Sequence, residues 1–129
     1  MGSITDCDRI YIAGPISGIK KGNKEAFLSM QTKLEELGIE CFNPRGLEVP
    51  LWLGTEDPDF NRVMMSLSLP ELFQCDGLVM LENSYGYPES GCWVEYALAM
   101  YLGCDIFMRN NMHDCWQYRN KETRNWKLC

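Results

Sequence analysis

Short apolar runs alternate with amphipathic stretches along most of the chain, and this alternation predicts an α/β fold. Near-continuous apolar runs that are rich in β-branched residues are typical of strands buried on both faces of a sheet. Four runs of this kind predict strands, namely “RIYIAG” (9–14), “IECFNP” (39–44), “DGLVML” (76–81) and “CDIFM” (104–108). The polar segment that follows the fourth run has no clear pattern.

Three stretches between these runs predict helices. The first covers 23–38 and the second covers 59–73, where Pro70 predicts a kink or two short pieces because proline removes a backbone donor. The third covers about 90–102. In this third helix, apolar residues recur at the spacing of a face that packs on a core: Val94, Ala97, Leu98, Tyr101 and Leu102.

The order of these elements predicts the architecture. Strands that alternate with helices form a mostly parallel sheet with helices on both faces, here a four- or five-stranded, flavodoxin- or Rossmann-like three-layer sandwich. The 129 residues fit one domain, 1–129. Ligands of such sheets bind beyond the carboxyl ends of the strands. We therefore expect a crevice between “GPISG” (14–18), “NPRG” (43–46), “ENSYGYPES” (82–90) and the start of the third helix.

Composition narrows the classes of partner. The net charge of -6 argues against a nucleic-acid polymer, which needs clustered Lys and Arg. No apolar run of about 18 residues is present, so no membrane span is expected. The seven cysteines are widely spaced without a CxxC pair, which is typical of reduced thiols in a cytoplasmic protein.

The glycine-flanked turn “AGPISG” does not match a cofactor motif. It fits neither GxGxxG nor the P-loop spacing, and the chain has no metal-ligand spacing, so we expect no cofactor and no metal. Two interpretations of the turn stay open. It is a plain structural turn, or its backbone N–H groups and Ser17 hold an anion or a sugar hydroxyl.

Glu95 is the only charged residue between Cys92 and Cys104. It lies on the solvent side of its helix or it lines the crevice, because burying an unpaired carboxylate is costly. Asp76 and Glu89 are also predicted near the crevice, and paired carboxylates are what glycosidic cleavage requires. Asp76 is alternatively a strand-start residue that accepts a hydrogen bond from a backbone N–H.

Five motifs in order resemble the nucleoside 2-deoxyribosyltransferase superfamily, in particular its short deoxyribosyltransferase-like branch, which is related to deoxynucleoside 5′-monophosphate N-glycosidases. The motifs are “IYIAGPISG”, Asn-x-x-x-Phe from Asn23 to Phe27, Asn-Pro at 43–44, “CDGLVML” and “ESGCWVEYALA”. They extend over about 9–108. The resemblance implies a flavodoxin-like sheet, a homo-oligomer, and an enzyme whose partners are a deoxynucleoside or deoxynucleotide and a nucleobase.

The resemblance also implies residue roles. Glu95 would attack C1′ of the deoxyribose as the nucleophile, and Tyr11 would hold its carboxylate, although a core tyrosine is the alternative for Tyr11. Asp76 would act near the departing base. The implied substrate-binding residues are Gly14, Pro15, Ser17, Gly18, Asn23, Asn43, Glu89, Ser90 and Gly91.

Glu89 separates two forms of this activity. The resemblance implies an acidic residue at this position in the transferases that act on free nucleosides, and Ser in the superfamily's 5′-monophosphate hydrolases. A carboxylate repels a phosphate, so Glu89 favours transfer of deoxyribose from 2′-deoxynucleosides to an acceptor base. Ser90, Lys20 and Lys21 favour hydrolysis of deoxynucleoside 5′-monophosphates to free base and deoxyribose 5-phosphate. A non-catalytic nucleotide-sensing module on the same fold is the third hypothesis.

Overall fold

The computed structural model describes residues 4–47, 53–110 and 115–119. Five strands form one sheet in this part of the chain, with three α-helices around it. The strands are β1 (Arg9–Ala13), β2 (Glu40–Phe42), β3 (Gly77–Met80), β4 (Asp105–Asn110) and β5 (Cys115–Arg119). The helices are α1 (Lys24–Glu36), α2 (Phe60–Leu72) and α3 (Cys92–Leu102).

The strand order is β2-β1-β3-β4-β5. Strands β1 to β4 are parallel, and β5 pairs with β4 in the antiparallel direction. The predicted α/β three-layer architecture and its four strands are confirmed. The position of the fifth strand was not predicted, because its sequence, “CWQYR”, is polar enough to be taken for a tail. Its Trp116 and Tyr118 nevertheless pack on one of the two cores of the sheet.

The two faces of the sheet carry separate cores. Side chains of successive strand residues point to opposite faces, so β1 contributes to both. Ile10 and Ile12 belong to the core that includes α1 residues. Tyr11 and Ala13 belong to the other core, which includes residues of α2 and α3. The alternation along five residues of β1 therefore determines which helices Tyr11 meets.

The face of α3 that packs on the sheet differs from the one predicted. The buried side chains are Cys92, Glu95 and Ala99, whereas Val94 is 56% exposed and Tyr101 is 88% exposed. Helical spacing identifies a face but not the direction in which it points. This helix has apolar residues all round, so the periodicity of the predicted set did not show that the side with the carboxylate is the buried one.

Of the two alternatives predicted from Pro70, a kink or two short helices, the second is wrong. α2 is one helix that contains Pro70 in its last turn. The carbonyl four residues before this proline, which loses its N–H partner, belongs to the exposed Ser66. The helix continues because the loss falls on its outer side. No helix among the described residues is long and apolar enough to cross a membrane.

Close packing at the start of β3 leads to a stability prediction. A Cβ added at Gly77 would lie 2.8 Å from Cys7 Sγ and 3.2 Å from Ile10 Cγ1. We expect Gly77→Ala to lower the free energy of unfolding by about 1–3 kcal/mol, measured by urea denaturation, because overpacking displaces core side chains. Gly46→Ala is the control, since nothing lies within 4 Å of its added Cβ. Equal losses in the two variants would contradict the close packing at Gly77.

Candidate active site

A cavity of about 230 Å³ opens at the carboxyl edge of the sheet. Its walls come from the loop after β1, the turn after β2, the buried side of α2, the loop after β3, and the first turn of α3. This is the place that the topology of a parallel sheet predicts for a ligand. The residues that line it are Gly14, Ile16, Ser17, Pro44, Phe60, Asn61, Met64, Met65, Ser68, Tyr87, Glu89, Ser90, Gly91, Cys92 and Glu95.

A carboxyl group lies at the inner end of this cavity. Glu95 is 7% exposed and occupies the first turn of α3, where its backbone N–H donates to the Gly91 carbonyl. The fully buried Tyr11 of β1 donates its phenol hydrogen to Glu95 Oε2. The structure thus brings Tyr11 and Glu95 together across the sheet-helix interface.

Burial changes the protonation of both groups. Loss of solvation raises the pKa of Glu95 to about 7, and the hydrogen bond from Tyr11 works against this rise. The pKa of Tyr11 is raised mainly by its own burial and next by the Glu95 charge. The phenol therefore stays protonated and is the donor of the hydrogen bond to Glu95. The carboxyl group therefore changes its charge close to neutral pH.

The start of α3 contributes three of the predicted substrate-binding residues to the cavity, namely Glu89, Ser90 and Gly91. Ser90 Oγ accepts a hydrogen bond of 3.3 Å from the Cys92 N–H. A Cβ added at Gly91 would lie 2.7 Å from Met65 Cε, so glycine here allows α2 to approach α3 closely. Glu89 is exposed at the cavity mouth.

The loop after β1 is partly in the cavity and partly behind it. Gly14 and Ser17 line the cavity, and Ser17 Oγ donates to the Thr55 carbonyl at 3.1 Å. The predicted Pro15 and Gly18 are absent from the lining residues. Asn23 is buried, is also absent from the lining, and donates from Nδ2 to the Pro15 carbonyl at 2.8 Å. Asn23 therefore lies behind the loop that follows β1 and supports that loop through this hydrogen bond.

Asn43 has a supporting position too. Its Oδ1 accepts from the Arg45 N–H at 2.8 Å, and its Nδ2 donates to Gln31 at 2.9 Å. The side chain orders the turn after β2, and the neighbouring Pro44 is the residue of that turn that lines the cavity.

The expectation that Asp76 reaches the crevice is wrong. Its carboxylate accepts hydrogen bonds from the Asp8 N–H at 2.9 Å and the Arg9 N–H at 3.0 Å. These donors lie at the amino end of β1, whereas the cavity lies at the carboxyl ends. The four residues of β3 separate the two edges by about 13 Å. Asp76 joins the start of β3 to the start of β1, which was the structural alternative for this residue.

Sequence reasoning missed the wall formed by α2. Its buried residues recur at intervals of four, Phe60, Met64, Ser68 and Leu72, and the first three line the cavity. Ser68 stands out, because it is a hydroxyl-bearing residue in an otherwise apolar series. The position of Ser68 in this apolar series was the sequence signal that α2 could line the cavity. Tyr87 and Cys92 also line the cavity, and they lie in segments predicted to border the crevice, although neither was predicted as a site residue.

The described residues that line the cavity include carboxyl groups but no positively charged side chain. Two carboxyl groups, Glu89 and Glu95, are present, and no Lys or Arg of the described residues lines the cavity. No cluster of three or more His, Cys, Asp or Glu side chains in the described ranges is placed to hold a metal ion. The arrangement suits a neutral ligand with hydroxyl groups.

The fold and this site place the chain among α/β proteins that carry a carboxyl group at the sheet's ligand-binding edge. A model of the family described as a domain of unknown function, DUF4406, matches residues 8–108, and the chain belongs to this family. No curated protein matches the chain.

A solved structure has the same fold. The protein is similar to a 2-deoxyribosyltransferase from the psychrotolerant bacterium Bacillus psychrosaccharolyticus, with a TM-score of 0.57 and 18% identity. The match covers 78% of this chain and 70% of that chain. At this identity the likeness establishes a shared flavodoxin-like α/β fold.

The burial of Glu95 predicts a pH-dependent stability. Its pKa is about 7 in the folded chain, against an ordinary value of 4.5. Between these values only the folded state holds the proton, so the free energy of unfolding decreases as pH rises through this window. Glu95→Gln removes the dependence. We expect the variant to match wild type near pH 4.5 and to exceed it by on the order of 3 kcal/mol at pH 8.

Chemical denaturation at the two pH values measures this difference. A carboxyl group that is solvated in the folded protein would instead give the same difference between variant and wild type at both pH values. That outcome would contradict the buried position of Glu95.

Proposed function

We propose that the chain cleaves the N-glycosidic bond of 2′-deoxynucleosides through Glu95 and transfers the deoxyribose to an acceptor base. The observation that carries this proposal is a buried carboxyl group, held by a tyrosine, at the inner end of a cavity that no Lys or Arg of the described residues lines. The fold shared with a 2-deoxyribosyltransferase supports the choice of reaction. The sequence motifs around Glu95 support it independently.

The proposed reaction has two displacements at C1′. One oxygen of the Glu95 carboxylate attacks C1′, the bond from C1′ to the base nitrogen breaks, and its electron pair leaves with the base. Tyr11 donates to Oε2, which leaves Oε1 for the sugar. The acceptor base then attacks C1′ and releases the carboxylate. The proton that the departing base gains balances the proton that the acceptor base loses, so the protein supplies no net proton.

The substrate class follows from the charges at the cavity. A phosphate would meet Glu89 at the mouth and no lysine or arginine among the described lining residues. The first N–H groups of α3 already have acceptors, since Cys92 donates to Ser90 Oγ and Trp93 donates to the Ser90 carbonyl. A neutral nucleoside, whose 5′-hydroxyl donates to Glu89, fits these groups better than a 5′-monophosphate.

A turnover assay with a matched pair of variants tests the proposal. Glu95→Gln should lower transfer from a deoxynucleoside to an acceptor base by about 10³-fold or more, because it removes the nucleophile. Asp76→Asn changes the same kind of group at the opposite edge of the sheet and should stay within about threefold of wild type. Chromatography of the new nucleoside gives both rates. A large loss in Asp76→Asn with an active Glu95→Gln would overturn the assignment.

The same assay separates two further activities. The cavity mouth is exposed at Glu89 and Tyr87, which gives water a path to C1′. Free base from deoxynucleoside 5′-monophosphates, released without acceptor, would make the protein a nucleotide hydrolase. Binding without any product would make it a non-catalytic nucleotide-sensing module.

Glu89 is the proposed determinant of the nucleoside preference. We expect Glu89→Gln to lower kcat/KM for a deoxynucleoside roughly tenfold, because a charged acceptor for the 5′-hydroxyl becomes neutral. Its discrimination against the 5′-monophosphate should also shrink, since the repulsion is gone. Glu82→Gln is the control, because it removes the same charge from the same loop outside the cavity. Unchanged discrimination in Glu89→Gln would contradict the assignment.

We also propose that the protein forms a homo-oligomer. The support is the outward face of α3, where Val94, Ala97 and Tyr101 are exposed. An apolar helix face of this kind is typical of surfaces that a partner covers.

A further inference from the structure

A four-residue turn carries Glu89 at the cavity mouth. Residues 87–90, Tyr-Pro-Glu-Ser, form this turn, which the Ser90 N–H closes by donating to the Tyr87 carbonyl at 3.1 Å. Pro88 occupies its second position, where proline is favoured because its fixed φ suits the start of a turn. Three of the four residues line the cavity, namely Tyr87, Glu89 and Ser90. The conformation of this turn therefore decides where the Glu89 carboxylate lies.

One residue of α3 hydrogen-bonds both ends of the turn. The backbone N–H of Trp93 donates to the Ser90 carbonyl at 3.2 Å, and its indole Nε1–H donates to the Tyr87 carbonyl at 3.1 Å. The first bond is open to any residue but proline at this position, whereas the second needs a side-chain donor. Together with the Ser90 N–H, the indole N–H occupies both lone pairs of the Tyr87 carbonyl. The turn is thus fastened to α3 at its first and its last residue.

Aromatic neighbours hold the indole of Trp93. The ring centroids of Tyr85 and Trp93 are 5.6 Å apart at 46°, and those of Trp93 and Tyr96 are 5.6 Å apart at 68°, which is an edge-to-face contact. Arg119 of β5 donates to the Tyr96 hydroxyl and lies 5.7 Å from the centroid of the Tyr96 ring. Such aromatic and cation–π contacts stabilise rings beyond the effect of burial. Strand β5 therefore supports the cavity mouth through Tyr96 and Trp93.

We propose that Trp93 is a positioning residue for Glu89, and that its indole N–H places the Glu89 carboxylate by fixing the turn 87–90. Trp93 is absent from the lining residues, so it acts without touching a ligand in the cavity. Tyr87, Pro88 and Glu89 are exposed, so packing holds the turn only weakly and the hydrogen bonds from α3 have to fix it. The consequence for substrate binding rests on the proposed function, whereas the coupling of Trp93 to the turn does not.

A fixed turn matters for the proposed contact between Glu89 and the 5′-hydroxyl of a nucleoside. That hydrogen bond needs the carboxylate oxygen within about 3 Å of the hydroxyl oxygen, and a turn that moves would place it there for only part of the time. The 5′-hydroxyl is remote from C1′, so we expect the contact to be equally strong in the bound substrate and in the transition state. Loss of such a contact raises KM and leaves kcat nearly unchanged. A change at Trp93 should therefore differ from a change at Glu95, which lowers kcat.

Hydrogen exchange at the Ser90 amide tests the positioning and needs no substrate. Trp93→Phe keeps an aromatic ring against Tyr85 and Tyr96 but removes the side-chain donor to Tyr87. We expect the Ser90 amide to exchange about three- to tenfold faster in this variant, measured by NMR, because the loss of one hydrogen bond loosens the turn. Amides of β3 in the same sample report global stability and should change less. An unchanged rate at Ser90, or an equal rise at β3, would overturn the proposal.

Trp116→Phe is the matched control. Trp116 lies on β5 and packs on the core that includes α1 residues, which is on the other face of the sheet from α3. The same substitution there should leave the exchange rate of the Ser90 amide at its wild-type value. A rise equal to that of Trp93→Phe would show a general loss of stability and would contradict a specific role of Trp93.

A double-mutant cycle with Glu89→Ala decides whether Trp93 acts through Glu89. Alone, Trp93→Phe should raise KM for a deoxynucleoside about three- to tenfold while kcat stays within about twofold of wild type. In the Glu89→Ala background the same change should raise KM by about twofold at most, because the carboxylate that Trp93 places is already absent. Equal rises of KM in both backgrounds, or a loss confined to kcat, would contradict the proposal. Failure of the proposed function gives a different result, since the Ser90 amide then still exchanges faster while no nucleoside is turned over.

Discussion

The burial of one carboxyl group against one phenol is the constraint on which this site depends. Glu95 is almost completely removed from water, and the hydrogen bond from Tyr11 compensates only part of the lost solvation, so its pKa remains raised. Such a group destabilises the folded chain at the pH where it is charged. The rest of the fold has to supply that free energy, and the two apolar cores on the faces of the sheet are its source.

The position of this pair follows from simple periodicities. A period of two along β1 turns Tyr11 away from Ile10 and Ile12 and towards α3. A period near 3.6 along α3 places Glu95 between Cys92 and Ala99 on the side that meets the sheet. Both elements were predictable from the sequence, and so was the edge at which they meet. What the pattern did not show was the direction of the α3 face, because apolar residues occupy both sides of that helix.

The errors of prediction have a common physical origin. Residue type and order identified Asp76, but an aspartate before a strand serves equally well as an acceptor for backbone N–H groups, and the hydrogen bonds to Asp8 and Arg9 show that this is its use. The position of the fifth strand and the α2 wall were missed because their signals depend on tertiary contacts. The polar strand β5 pairs with its neighbour β4, and the burial of Ser68, which its place in an apolar series of α2 indicated, is established by the packing of that helix.

The absence of cations among the described lining residues gives the raised pKa of Glu95 a chemical meaning. A lysine or arginine beside the carboxylate would stabilise its charge and lower its pKa, but it would also make the oxygen a weaker nucleophile and attract phosphate. A neutral hydroxyl donor, Tyr11, orients the carboxylate while leaving most of its basicity. Under the proposed function, a site built in this way would keep the nucleophile reactive towards a neutral sugar, and the same choice of donors would disfavour an anionic substrate.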